Sequence, residues 1–288
     1  MVAITSIGGL HMADGNSPNR LFLKKILYRF DFQFITEKIQ EEVYSFITET
    51  YGEFFIEQSQ ELANEIDVEI NATSLDQPRV NRKSQPIFIF RQPKTDECDG
   101  RTLKLGRTFC FLELDLCQST MGIKYYDWIA EIINKLKTYP IFRLTRVGLR
   151  KFNNFFILDK DIASLNNIFN IDYLSAANCE GFGLDNFSTS QVYTYLDYQL
   201  RFTRNYSSGN LSNPALKIDN ELGHLISFDF DLYTSSDETI SPLNADASKT
   251  LQNMNSVVCD FFKSLIKEEV VEKLNAGEDL REYNVIPF

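Results

Sequence analysis

Histidine is nearly absent from this 288-residue chain, which has only His11 and His224. The scarcity works against catalysis by a nucleophile beside a histidine base, because only His224 lies outside the polar N-terminal stretch. Cysteine is also sparse: Cys98, Cys110, Cys117, Cys179 and Cys259 include no CxxC pair and no recognised sequence around a nucleophile. Zinc-ligand spacing is therefore missing, and an odd number of unpaired cysteines fits free thiols in a reducing compartment. The segment "EGFGLDNF" has two close glycines but no Lys-Ser/Thr after them, so it is not a phosphate-binding loop. No apolar run approaches the roughly 20 residues that span a bilayer, and the first residues lack the basic start of a secretory signal. A soluble, cytoplasmic protein without membrane contact is expected. Basic residues are short too, with 29 Lys and Arg against 40 Asp and Glu, a net charge of −11 and a pI near 4.8. Such a balance repels nucleic acid and anionic lipid at long range. There is no sustained internal repeat and no low-complexity block.

What the chain does have is aromatic residues, with 24 Phe and 13 Tyr among 43% hydrophobic residues. Aromatics suit the half-buried surface of a sheet, so a strand-rich fold is expected. "ILYRFDFQF" from Ile26 reads as a strand. A helix follows, capped by Thr36, with Ile39, Val43, Phe46 and Ile47 on one stripe. "VEINATS", "PIFIFRQ" and "RTLKLGRTFCFLELDLC" read as three strands of a meander, and Tyr125 to Lys137 as a helix ending before Pro140. A short helix over 162–168 and a polar stretch around "SAANCEGFGLDNFSTS" come next. Val192 to Phe202 alternates as one strand, and "NYSSGNLSNP" is its turn into a partner carrying Ile226, Phe228, Phe230 and Leu232. A last helix, capped by Asp246, carries Leu251, Met254, Val258, Phe261 and Leu265. The expected class is α+β, with antiparallel sheets or a partly closed, barrel-like sheet packed by long amphipathic helices. The expected organisation is a flexible arm over 1–20, an α+β half over 21–158, and a hairpin-plus-helix half over 159–288, the two halves packed as one unit.

"RLTRVGLRKFNNF", Arg143 to Phe155, is the basic strip in this acidic chain. As a strand it sets Arg146, Gly148, Arg150 and Phe152 on one side and Thr145, Val147, Leu149 and Lys151 on the other. Together with the preceding Tyr-Pro, the residues Arg146, Gly148, Arg150, Phe152 and Asn153 resemble the signature of a sporadically distributed family of uncharacterised bacterial proteins of similar length. In that family a Tyr-Pro helix end precedes an Arg-x-Gly-x-Arg strand followed by an aromatic residue and Asn; Phe152 takes the place of the usual Tyr. The ending "LQNMNSVVCDFFKSLI" is similar to the family's last helix. The resemblance implies a bacterial or phage-related origin and mobile or defence-related loci, and it supplies no catalytic residues.

Two constellations are candidates for chemistry. Arg146 and Arg150 flank the bare backbone of Gly148 and could clamp a phosphate or carboxylate with two guanidinium forks. The alternative is that they pair with acids on neighbouring strands while Gly148 makes room for a helix or ring. Those acids are Glu113 and Asp115, Asp229 and Asp231, and the single Asp31. Converging, they would hold Mg or Mn beside the arginines, a layout similar to that of triphosphate tunnel enzymes and suited to a metal-dependent phosphohydrolase or nucleotide-binding protein. The Glu-x-Glu-x-Lys entry of those enzymes is missing here, and acids alternating with an apolar row also describe any half-solvated strand. The leading expectation is a non-enzymatic, cofactor-free binding protein of a bacterial accessory locus: an antiphage-defence, antitoxin or immunity component. Its expected partner is another, basic protein, with homo-oligomers also possible.

Overall fold

Apolar residues recurring at period two help organise about half of the described residues into strands. The computed structural model describes residues 22–69, 79–117, 125–159, 162–170, 185–213, 218–234, 240, 246–276, 278 and 280–286. Ten strands form: β1 (Leu23–Phe32), β2 (Glu57–Glu69), β3 (Arg79–Gln92), β4 (Gly100–Leu105), β5 (Phe109–Asp115), β6 (Leu144–Ile157), β7 (Asn186–Tyr195), β8 (Tyr198–Asn213), β9 (Ile218–Thr234) and β10 (Val285–Ile286). Nine of them lie in the order β2-β3-β4-β5-β1-β6-β9-β8-β7, every pair antiparallel, and β10 adds to β6.

This overturns the expected architecture of several sheets, or one partly closed into a barrel, under long helices. The end strands β2 and β7 do not meet, so the sheet is single and open. The helices α1 (Glu37–Tyr51), α2 (Tyr125–Lys137), α3 (Ala247–Ser264) and α4 (Glu268–Ala276) are short, 18 residues at most. Period-two patterning reports that strands are half-buried, but it carries no information on how many share one sheet or whether the ends close. The expected halves 21–158 and 159–288 contribute to the same sheet, because β6 lies between β1 and β9. The 1–20 arm, His11, Cys179 and most of "EGFGLDNF" lie outside the described residues.

Register explains the core. Phe90, Leu103, Leu112, Tyr28, Leu149, Leu232 and Leu200 oppose one another across seven strands, and all are buried. The helices cover this face. Tyr44 of α1 packs on Phe88 and Phe90, Gln40 donates to the carbonyls of Pro86 and Leu105, and Phe262 of α3 packs on Phe155 and Phe230. Thr36 and Asp246 cap α1 and α3 as expected, accepting from the N–H of Ile39 and Lys249. α3, expected as the last helix but followed by α4, turns its stripe slightly: Phe262 is buried, while Phe261 and Leu265 are half-buried. The opposite face of the sheet carries the polar rows.

Several boundaries differ from the sequence expectation, β2 and β3 among them, which begin at Glu57 and Arg79, well before "VEINATS" and "PIFIFRQ". "RTLKLGRTFCFLELDLC" holds two strands, β4 and β5, folded back at Gly106, whose N–H donates to Phe109 O. Val192 to Phe202 also spans a turn, because Tyr195 and Tyr198 oppose each other and Leu196 has φ 51°. A branched residue in the left-handed region gives no sequence warning, since glycine or asparagine usually stands there. Most of "NYSSGNLSNP" is strand, continuing β8 to Asn213, and 162–167 is a 3₁₀ helix. Among the described residues no helix is long and apolar enough to cross a membrane.

Candidate functional site

The strip becomes β6, near the middle of the sheet, and strand alternation turns Arg146, Gly148, Arg150 and Phe152 to the face without helices. There the arginines meet acids of this chain. Arg150 Nε donates to Asp229 Oδ1 at 2.9 Å and Nη2 to Oδ2 at 2.6 Å, a bidentate fork, while its guanidinium lies 4.5 Å from the Phe152 ring centroid. The Asp229 hydrogen bonds hold the Arg150 pKa above its ordinary value against partial burial. Arg146 lies 3.8 Å from Asp31 and 4.7 Å over the Tyr233 ring, and Asp31 also pairs with Arg29 at 2.9 Å. Asp231 sits between Arg150 and Arg201 in register. Burial pushes its carboxyl above the usual range, and so does Asp229, while Arg146, Arg150 and Arg201 pull it back.

Four arginines and three aspartates therefore form one interlocked cluster, Arg29, Arg146, Arg150 and Arg201 with Asp31, Asp229 and Asp231, one formal positive charge over neutral. An incoming phosphate would have to break the Arg150 fork. Gly148 lies opposite Arg29 and Tyr233, and among the described residues no helix lies on this face for it to accommodate. An added Cβ would meet Tyr233 Cβ at 3.7 Å, an ordinary contact, so packing does not require the glycine.

The other acids stand apart. Glu113 and Asp115 on β5 pair with Lys25 and Lys94, each at 3.1 Å, around a shallow depression of about 200 Å³ also lined by Gly100 and Thr102. Two strands, β1 and β6, separate β5 from β9. Three interstrand steps of about 4.8 Å put Glu113 and Asp231 roughly 14 Å apart in the sheet. Among the described residues no group of three or more His, Cys, Asp or Glu side chains is placed to hold a metal ion. This depression and a second, of about 190 Å³ beside Gly106 and Phe109, are below the roughly 300 Å³ where small-molecule pockets begin. Beside Asp115, burial and the neighbouring charge of Lys94 lower the Lys24 amine to about 8, with Asp115 opposing them.

The described nucleophile candidates are buried or held by neighbouring side chains. His224 is buried with Nδ1 3.0 Å from the Tyr206 hydroxyl. Cys110 and Cys117 are buried, and burial pushes the Cys110 thiol up. Cys98 and Cys259 accept from Arg101 and Lys151.

Two features escaped the sequence reading. The first is a buried staple around Arg101, whose guanidinium lies about 5.8 Å from the Tyr125 and Trp128 rings and donates to Tyr125 Oη and Phe54 O. Asp99 accepts from Tyr125 Oη and the Cys117 N–H, each at 2.7 Å. These partners are dispersed along the chain, so no local motif announces them. The second is the acidic end of the sheet. Glu37, Glu41, Glu42, Glu49, Glu53, Glu57 and Glu61 are all exposed, and Lys38 is the one base among residues 37–61. They lie along α1, the 3₁₀ turn Gly52–Phe54 and β2, with α1 held against β2 by Tyr44 and Thr48 on Gln58. Ile56 and Leu62 stand exposed among them. Among the described residues Glu37, Glu41, Glu49, Glu53 and Glu57 form no ion pair, and β2 has no strand on its outer side. A count of charge by segment finds this end, which the total charge does not show.

No known protein-family model matches the chain, and no curated protein matches it in sequence.

Proposed function

We propose that this chain is a non-enzymatic binding protein that docks a basic protein partner on its acidic end, the exposed face of α1 and the outer edge of β2. The supporting observation is seven exposed glutamates against one lysine from Glu37 to Glu61, around the exposed Ile56 and Leu62. Exposed apolar residues beside the glutamates of α1, next to an open strand edge, suit an extended basic segment; Glu61, on the other face of β2, is already met by Arg91 and Lys104. Backbone pairing would supply affinity, and the glutamates steering and selectivity. The resemblance of the basic strip suggests a bacterial accessory locus, where an antiphage-defence, antitoxin or immunity component would fit a protein partner. The proposed compartment is the cytoplasm, in keeping with free thiols at Cys98, Cys110, Cys117 and Cys259.

The test is titration with a lysine-rich extended peptide at two salt concentrations. Saturable binding that weakens with salt is expected, and it should fall at least tenfold in Glu41→Lys/Glu49→Lys/Glu53→Lys. Reversing three exposed acids elsewhere, Glu268, Glu269 and Glu272, should leave it unchanged; equal losses in the two variants would defeat the site assignment. The phosphohydrolase alternative would have to work with Glu113 and Asp115, or Asp229 and Asp231, one pair at a time and each already matched to bases.

A further inference from the structure

The other end of the sheet has the opposite character, and we infer that the β7 edge pairs with the β7 edge of a second copy of this chain. β7, "NFSTSQVYTY", contains no charged residue, whereas β2 carries Glu57, Glu61, Glu65, Asp67 and Glu69. Edge strands are normally protected by charge from pairing with their own copies, and β2 is; β7 presents ten residues of strand with no such protection, and among the described residues nothing pairs with its outer side.

Charge also chooses the occupant. A chain of net charge −11 repels its own copy over most of its surface, and a two-fold contact sets each residue of a strand against the same strand. Self-pairing of β2 would oppose acid to acid, while self-pairing of β7 opposes none within the strand and sets Asp185 against Asp197 only beyond its ends. Apolar exposure is concentrated at the same place: among the described residues Val192, Tyr193, Tyr195 and Leu196 are four of the nine large apolar side chains left exposed. Leu196 is the most open, at 76%, and it holds φ 51° at the turn into β8. Neither its conformation nor its side chain serves a turn facing water, where glycine or asparagine would be favoured.

A two-fold axis normal to the sheet keeps the helices of both copies on one side and opposes residues of like parity. With Gln191 at the centre, Phe187 faces Tyr195 of the other copy, Thr189 faces Tyr193, and Leu196 covers the Asn186 end. The polar-and-aromatic pairs are of the kind that stabilise cross-strand contacts. Two nine-strand paths then join into one continuous sheet, with an acidic β2 edge at each outer end.

Light scattering coupled to gel filtration, on the full chain up to high micromolar concentration, reads the result directly. Wild type is expected at twice 33.3 kDa and Val192→Lys/Thr194→Lys at 33.3 kDa, with unchanged far-ultraviolet circular dichroism. Lysines on the opposite edge, Gln60→Lys/Leu62→Lys, should leave the dimer intact. Leu196→Gly, which relieves the turn, should melt higher and dissociate at higher protein concentration, so the inference stays testable if the double lysine variant folds poorly. A wild type that remains monomeric, one whose mass grows past the dimer, or a dimer that survives both β7 variants would overturn it.

Discussion

Gly148 and Gly223 look alike in the sequence, each set in a strand directly after an aliphatic residue, yet the structure gives them opposite roles. A methyl at Gly148 meets only ordinary contacts, whereas at Gly223 it would come 2.7 Å from the Ile157 carbonyl and the Phe156 ring. Gly148→Ala should leave the protein as stable or more stable by about 0.5–1 kcal/mol, since glycine in a strand costs backbone entropy. Gly223→Ala should cost about 1–3 kcal/mol, because backbone must shift. Chemical denaturation of both variants checks the contrast. Lys24 offers a second residue-scale outcome through pH. Its folded pKa, lowered to about 8, lies below the value of about 10.4 for an unfolded lysine, so between them the unfolded chain binds the extra proton. Stability should therefore rise as pH goes from 8 towards 9.5, and Lys24→Met should flatten that rise in a series of thermal melts. Arg146 and Arg150 were legible as a pair sharing one strand face, and pairing with acids of neighbouring strands was the alternative the sequence favoured. Which acids they meet was not, because register is set by packing and turns far from the strip.

Elements were more legible than their joins. Three of the four helices were visible from apolar spacing, and two of their N-caps from a single Thr and Asp. The hairpin at Leu196 was missed because alternation runs through the turn without a break, and the split at Gly106 because apolar residues flank it on both sides. Arg101 joins β4, the Gly52–Phe54 turn and the start of α2 through side chains that no period reveals. Arg101→Met should cost about 3 kcal/mol in urea denaturation, since it strips a buried cation from partners arranged around it. A change below about 0.5 kcal/mol would show that the aromatic packing alone holds this corner.

At the scale of the whole molecule, the expected barrel-like closure is replaced by one open sheet with two unlike edges, acidic β2 and neutral β7. The acids expected to share a metal in the phosphohydrolase reading are dispersed by strand order, which no count of residues in the sequence conveys. Nucleotides with magnesium or manganese should accordingly leave the melting temperature unchanged; a shift lost in Arg146→Ala/Arg150→Ala would restore the phosphohydrolase reading. The central claim is that the acidic end is the docking surface. Isothermal titration of the wild-type chain and of Glu41→Lys/Glu49→Lys/Glu53→Lys with the same lysine-rich peptide tests it most directly. The account predicts salt-sensitive binding that drops at least tenfold in the variant and not in the Glu268, Glu269 and Glu272 control. Equal affinity for wild type and variant would contradict it.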